Sequence, residues 1–408
     1  HHSTEELAAA AFVNNVFNLA IIFATGFSYG LTPLIGMLQG GGNTQGIGRV
    51  FRNALAANAS VAVLLTAVMY TVYCFVDKLG QPEELLPHIR PYFVLQLISL
   101  LFIMLFNGFR QFAEGLTDTR TPMWILLGGN ALNIFGNYLL IYGSFGFPEW
   151  GLFGAGVSTL VSRIVMLLVF IGVVAVARRY KVYREAILRS RFNRNDFMQL
   201  NALGWPIALQ MGMETAAFSL SAIMVGWLGS IPLAAHQIMI SVSTIGFMVY
   251  YGMGAALAVR VSHFMGQKDF PNLRRAVNSG MGIILSLAIV ASLFFYLART
   301  PIIYSFTEDH EVMVVVSSLI FSLIVYQFGD ALQITFANAL RGTTDVKPMM
   351  WIAFFSYFIV ALPVGYLCGF TWGGGVVGVW VAFPAGLFTA GFLFWLRFRY
   401  RLQQLMKK

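Results

Sequence analysis

Between Leu152 and Ala177 the sequence reads LFGAGVSTLVSRIVMLLVFIGVVAVA, and Arg163 is the only charged residue in this stretch. A transmembrane α-helix needs about 20 predominantly apolar residues, so the stretch predicts one membrane crossing. The whole chain has the same character, because 58% of its 408 residues are hydrophobic and 11% are charged. A soluble domain carries about 25% charged residues. The sequence therefore predicts an all-α polytopic membrane protein.

Further apolar stretches of similar length bring the number of predicted membrane helices to eleven. The eleven predicted helices are Leu7–Leu38, Phe51–Phe75, Pro91–Ala113, Pro122–Gly143, Leu152–Ala177, Leu200–Leu228, Pro232–Phe264, Leu273–Leu297, Val312–Leu340, Pro348–Phe370 and Val376–Phe398. The first, seventh and ninth exceed the thickness of a bilayer. We expect these three helices to tilt, kink or protrude.

Charge is distributed unevenly between alternate loops of this predicted topology. The basic linker Arg178–Arg194, the basic tail Arg397–Lys408 and loop residues such as Arg341 lie on one side, and most loop carboxylates lie on the other. This is a positive-inside pattern, which predicts a multi-pass protein of the bacterial inner (plasma) membrane with a cytoplasmic C-terminus. The basic loops lack the interleaved aromatic residues of a nucleic-acid groove, so we expect no nucleic-acid partner.

The chain contains an internal repeat. Leu7-Ala8-Ala9 recurs as Leu233-Ala234-Ala235, and Gly115-Leu116-Thr117-Asp118 recurs as Gly342-Thr343-Thr344-Asp345. The second copy has a helix before its Leu-Ala-Ala motif, so the repeat predicts one further helix ahead of Leu7. Two six-helix lobes related by a pseudo-two-fold axis along the membrane normal are therefore expected. The predicted domains are an N-terminal lobe (1–177), a basic cytoplasmic linker (178–198) and a C-terminal lobe (199–408).

Two acidic residues, Glu214 and Asp330, fall deep inside predicted membrane helices. An ionised carboxylate there costs several kcal/mol unless it is paired, hydrated or protonated. Helical spacing places Gln210 and Phe218 on the face of Glu214, and Tyr326 and Gln333 on the face of Asp330. These residues offer oxygen ligands for a hard cation and aromatic rings for an organic cation. The alternative is that each carboxyl is protonated and ties helices together.

Polar residues also occur within the helices of the N-terminal lobe. Asn133 and Asn137 share one helix face, which can line a polar cavity or hydrogen-bond to a neighbouring helix. Arg163 is expected to snorkel toward the cytoplasmic side or to meet a carbonyl, and a gating role is the alternative. No arrangement of Ser, His, Asp or Cys residues suggests an enzyme, and no cofactor is expected.

Several segments together resemble the multidrug and toxic compound extrusion (MATE) family, and within it the NorM-like bacterial branch. They are Glu5-Glu6-Leu7-Ala8-Ala9-Ala10, Gly115 to Pro122, Asn130-Ala131-Leu132-Asn133, Gly143 to Gly156, Leu233-Ala234-Ala235-His236-Gln237, Asp330-Ala331-Leu332-Gln333 and Arg341-Gly342. The resemblance implies twelve helices, of which this chain shows helices 2 to 12. It also implies that Glu214, Asp330 and Tyr326 bind the coupling cation. The family's other branch uses an acid in helix 1 and an Asn-x-x-x-Asp pair in helix 5, where this chain has Asn133 and Asn137.

The functional hypothesis is a Na⁺- or H⁺-coupled antiporter that exports lipophilic, often cationic organic compounds by alternating access. Asn133, Asn137, Gln210, Phe218 and Gln333 are the predicted substrate-cavity residues. The partners would be small organic cations and the lipid bilayer, and the protein would act as a monomer. The alternatives are a flippase for lipids or lipid-linked glycans and a passive channel. The sequence does not choose between sodium and protons.

Overall fold

A computed structural model describes residues 4–407, which are helical throughout most of their length and contain no β-strand. The α-helices are α1 (Thr4–Ser28), α2 (Leu31–Gly40), α3 (Thr44–Cys74), α4 (Leu86–Gly115), α5 (Arg120–Tyr142), α6 (Gly151–Val176), α7 (Lys181–Arg189), α8 (Arg194–Gly226), α9 (Ser230–Gln267), α10 (Phe270–Leu297), α11 (Arg299–Phe306), α12 (His310–Gly342), α13 (Lys347–Phe354), α14 (Leu362–Tyr366), α15 (Gly375–Trp380) and α16 (Ala382–Met406). Within residues 4–407, eleven helical spans are long and apolar enough to cross a membrane, which confirms the predicted fold class.

Most helices begin before the apolar stretch that predicted them. The second span starts at Thr44 rather than Phe51, because the Asn43 side chain accepts a hydrogen bond from the backbone N–H of Gly46 and caps the helix. Asp269 caps α10 in the same way, through the N–H of Asn272. Hydrophobicity marks only the part of a helix that lies in lipid, whereas capping side chains extend the helix into the polar interface.

The first predicted helix is broken, as its length suggested. α1 ends at Ser28 and α2 starts at Leu31, with Tyr29 and Gly30 between them. At this break α8 comes very close, since a β-carbon on Gly30 would lie 2.9 Å from the backbone nitrogen of Gly204. The two glycines therefore allow backbone-to-backbone contact between the break and α8.

The internal repeat recurs in the backbone geometry of two turns. Thr117 follows α4 with φ +66°, and Thr344 follows α12 with φ +59°, both in the left-handed region that threonine rarely adopts. The backbone N–H of Asp118 donates to the carbonyl of Ala113 (2.9 Å), and that of Asp345 donates to the carbonyl of Leu340 (3.0 Å). Both helices thus end in the same Schellman-type turn.

The chain divides into two compact units, His1–Ala208 and Leu209–Lys408. In the first unit α4 packs against α1, α3 and α6, and in the second α12 packs against α9, α10 and α16. The predicted linker packs on α3 of the first unit, because Gly48 lets Ala186 of α7 approach closely and Arg49 pairs with Asp196 at 2.6 Å.

Candidate functional site

Glu214 of α8 lies at the centre of a hydrogen-bonded cluster in the second unit. Its Oε2 atom accepts one bond from the Gln210 amide on the preceding turn (3.0 Å) and one from the Gln333 amide on α12 (3.2 Å). Gln210 is 1% exposed and Gln333 is 3% exposed, so the cluster is largely shielded from the surroundings. The structure therefore brings three of the predicted site residues together.

Arg341 extends this cluster toward the end of α12. The guanidinium Nη2 donates to Gln210 Oε1 at 2.7 Å, and the side chain also interacts electrostatically with Glu214. Our sequence reading of Arg341 as a loop residue was wrong, because it occupies the last turn of α12 and is 6% exposed. The sequence spacing could have indicated this position. Arg341 comes eleven residues after Asp330, which is close to three helical turns and places both side chains on the same face of the helix.

Asp330 is the most deeply buried carboxylate of the second unit, with 1% of its surface exposed. Its Oδ2 atom is buried and receives no hydrogen bond from any residue in the described range 4–407. Asp330 interacts electrostatically with Glu214, Tyr326 and Tyr250. A buried carboxylate oxygen without a donor is costly, and a proton or a cation would remove the cost.

Aromatic rings pack beside the carboxylates. Phe218 stacks on Phe383 with ring centroids 4.8 Å apart, and it meets Tyr326 edge-on at 6.3 Å. Tyr326 is 5% exposed, so its hydroxyl end is held inside the unit. A cavity of about 10 Å³ lies next to these rings, between Phe218, Tyr357 and Phe383. This cavity has room for about one water molecule and none for a bulky organic ligand.

Sequence reasoning missed Tyr357, which interacts electrostatically with both Glu214 and Asp330. It lies in a π-helical segment, Phe355–Ala361, which is followed shortly by Pro363. Proline lacks a backbone N–H and interrupts the regular helical ladder, so a widened turn before it has a local cause. Sequence spacing assumes a regular helix, and a π-helical segment shifts the face that each side chain occupies.

The predicted cavity residues of the first unit lie at a helix–helix contact. Asn133 of α5 donates to Ser158 and Thr159 of α6, both at 3.3 Å, and Asn137 donates to Asn133 at 3.4 Å. The structure thus places Asn133 in the packing of α5 against α6. Of the two roles left open by the sequence, interhelical hydrogen bonding is the one that the contacts of Asn133 show.

Arg163 meets a carbonyl, as one of the two expectations for this residue predicted, and that carbonyl belongs to the side-chain amide of Gln96. It donates to Gln96 Oε1 at 3.2 Å and to the hydroxyl of Ser99, both on α4. These two buried acceptors satisfy the Arg163 guanidinium inside the unit, so the side chain has no need to extend to the membrane interface. The polar cluster around Arg163 carries a positive charge, whereas the second unit carries the buried carboxylate of Asp330 and the half-buried carboxylate of Glu214.

Comparisons with known proteins relate this chain to one family. The family model described as MatE matches residues 1–139 and 206–367. The multidrug resistance protein NorM of Photobacterium profundum is 30% identical over 412 residues, which cover 98% of this chain and 88% of that protein. The protein of the same name from Aliivibrio fischeri is 30% identical over 398 residues, with coverages of 96% and 86%.

A solved structure supports the same fold. It is described as the outward-facing conformation of a multidrug resistance MATE family transporter of the MOP superfamily, and it matches this chain with a TM-score of 0.90. The sequence identity is 20%, and the match covers 100% of this chain and 90% of the other. At this identity the likeness establishes a shared fold.

Proposed function

The chain belongs to the MatE family, and from this premise we propose that it is a multidrug efflux transporter driven by a cation gradient. The relatives at 30% identity are named as multidrug resistance proteins, which supports export of organic compounds. The coupling ion is Na⁺ or H⁺, and it acts at Glu214 and Asp330. The flippase alternative finds no support in the names of these relatives.

One observation carries the coupling proposal. Asp330 is buried inside a membrane helix with an oxygen that receives no hydrogen bond from residues 4–407, and Glu214 interacts with it electrostatically. Two carboxylates that interact within a membrane helix bundle repel each other when both are ionised. A proton or a sodium ion relieves this repulsion, so the region has a strong electrostatic preference for one added positive charge.

The donor set fits either ion. Carboxylate, amide and phenol oxygens are hard ligands, which Na⁺ accepts as other hard cations do. Glu214 already accepts hydrogen bonds from two amides and interacts with Arg341, and these contacts offset part of the cost of placing its charge inside the unit. Asp330 has no such donors at Oδ2 and is therefore the proposed primary position for the cation, with Tyr326 beside it.

Antiport follows if cation and substrate favour different conformational states. A ligand shifts a conformational equilibrium only by its differential affinity for the two states. In a conformational state with a wider cavity than the one described above, Asp330 and Glu214 would attract a lipophilic cation. Loading of the coupling ion would neutralise their charge, so the substrate would leave as the ion enters. Alternating access then converts an inward ion gradient into outward export.

The test is ethidium efflux from reconstituted vesicles, driven separately by an imposed sodium gradient and an imposed pH gradient. We expect Glu214→Gln and Asp330→Asn each to reduce gradient-driven efflux at least ~10-fold, because a neutral side chain no longer favours the added charge. Glu311→Gln is the matched control, since Glu311 is an exposed carboxylate in the first turn of the same helix as Asp330.

Glu311→Gln should transport at the wild-type rate under both gradients. The gradient that drives wild-type efflux identifies the coupling ion. Wild-type rates in both Glu214→Gln and Asp330→Asn, with normal yields of folded protein, would refute the coupling site. Efflux that needs neither gradient would refute antiport itself.

A further inference from the structure

A groove on the first unit, between α5 and α6, has no role in the proposed transport site. Its volume is about 650 Å³. The lining is apolar along most of its length, with Trp124, Ile125 and Gly128 on one wall and Val165, Met166 and Val169 on the other. Only its end near the start of α5 is charged, and the charges there are Arg120 and Arg179.

The two arginines of this groove differ in how their side chains are held. Arg179 is oriented by contacts within the protein, because it lies 3.1 Å from Asp118 and also donates to Thr121. Its side chain is still 52% exposed. Arg120 is exposed in the first turn of α5 and also lines the groove. The mouth of the groove therefore presents two cations, and among residues 4–407 an ion pair with a carboxylate is found for Arg179.

Two adjacent glycines of α5, Gly128 and Gly129, shape the apolar part of the groove, and each does so in a different way. A β-carbon on Gly129 would lie 2.3 Å from Met166 Sδ, so this glycine brings α5 and α6 together and forms the floor. A β-carbon on Gly128 would meet nothing within 4 Å, so this glycine keeps the channel above the floor open. From Arg120 to Gly128 the groove follows α5 for roughly 12 Å, at 1.5 Å per residue.

We propose that this groove binds one anionic glycerophospholipid, with its phosphate between Arg120 and Arg179 and an acyl chain along Gly128. The mouth of the groove is complementary in charge to a phosphate, and the apolar channel behind it lies in a helix pair that is long and apolar enough to span the membrane. Basic pockets between transmembrane helices bind lipid head groups in this way. A soluble anion would contact the arginines and leave the apolar walls uncovered. The inference does not depend on the transport proposal.

The test is native mass spectrometry of the purified, delipidated full chain, titrated with phosphatidylglycerol and separately with phosphatidylcholine. We expect wild type to retain phosphatidylglycerol in preference to phosphatidylcholine. Arg120→Gln should weaken the first phosphatidylglycerol about 5-fold, which is the effect of one basic residue near a membrane surface. Gly128→Leu should weaken both lipids, because the new side chain enters the channel from a position where a β-carbon meets nothing within 4 Å.

Two matched controls separate this site from general lipid adhesion. Arg178→Gln removes the neighbouring arginine, which does not line the groove. Gly172→Leu adds the same side chain at a glycine of the neighbouring helix α6, where a β-carbon would also meet nothing within 4 Å. Both controls should bind phosphatidylglycerol as wild type does. The chain has a second cavity that is lined by arginines, Arg260 and Arg275. Because this cavity can also hold an anionic lipid, the test variants should lose one bound lipid rather than all of them.

Three outcomes would overturn the proposal. The first is wild-type retention of phosphatidylglycerol by both Arg120→Gln and Gly128→Leu. The second is equal loss in the variants and in their controls. The third is full competition by glycerophosphoglycerol, the soluble head group without acyl chains, which would reduce the groove to an anion site.

Discussion

Asp118 lies between α4 and α5, outside the membrane spans, and several donors converge on its carboxylate. Thr121 and Tyr180 each donate a hydrogen bond of 2.6 Å, and Arg179 lies 3.1 Å away. Burial favours the neutral acid, but these donors outweigh it and hold the pKa of Asp118 below its usual range. At residue scale, we expect Asp118→Asn to lower the free energy of unfolding at pH 7 by about 1–2 kcal/mol.

The same residue predicts a pH dependence. Because the folded-state pKa of Asp118 lies below the unfolded value of about 3.9, its stabilisation is present above that pH. The stabilisation is lost as pH falls through the folded-state pKa. Melting temperatures in detergent should therefore fall more steeply below about pH 4 for wild type than for Asp118→Asn. Glu308→Gln, which changes an exposed carboxyl, should follow wild type, and parallel acid curves for Asp118→Asn and wild type would contradict the prediction.

At the scale of elements, helix crossings depend on glycines that admit a neighbouring backbone. A β-carbon on Gly204 of α8 would lie 2.6 Å from the ring of Phe27 and 2.8 Å from its carbonyl oxygen. The backbone oxygen cannot rotate away, so we expect Gly204→Ala to lower stability by about 1–3 kcal/mol. The measurement is a thermal unfolding curve of the purified protein in detergent. The fraction of protein that stays monodisperse is recorded at each temperature.

The control for this crossing is Gly252→Ala in the middle of α9. A β-carbon there would meet nothing within 4 Å. Alanine is a better helix former than glycine by about 1 kcal/mol, so this variant should be as stable as wild type or slightly more stable. Equal losses in the two variants would show that contact at the crossing of α8 is not the cause.

At the scale of the whole molecule, the family match confirms the resemblance to NorM-like MATE proteins that the sequence motifs predicted. The membrane orientation stays a prediction from charge asymmetry. We expect Gln403→Cys to react with a membrane-impermeant maleimide only in permeabilised cells, and Glu308→Cys to react in intact cells. Both positions are exposed, and both variants are made with Cys74 and Cys368 replaced by serine. The reverse labelling pattern would invert the proposed topology.

Much of the architecture follows from local sequence because the bilayer imposes a local condition. Every backbone polar group in lipid must be satisfied within its own segment, so a long apolar run predicts a helix wherever it occurs. All eleven predicted helices correspond to spans found within residues 4–407. The i, i+3 and i, i+4 spacing around Asp330 also predicted that Tyr326 and Gln333 would accompany it, and all three are buried in α12.

The membrane class, the helices, the repeat and the two carboxylates could all be predicted, since each depends on composition or on spacing along the chain. Which helices meet at those carboxylates became clear only from the packing in three dimensions. It brought Arg341 to Gln210, placed Tyr357 near Glu214 and tied Arg163 to Gln96. These pairs join residues far apart in the chain, and contact between two helices depends on how their whole surfaces pack, which no spacing within either helix encodes.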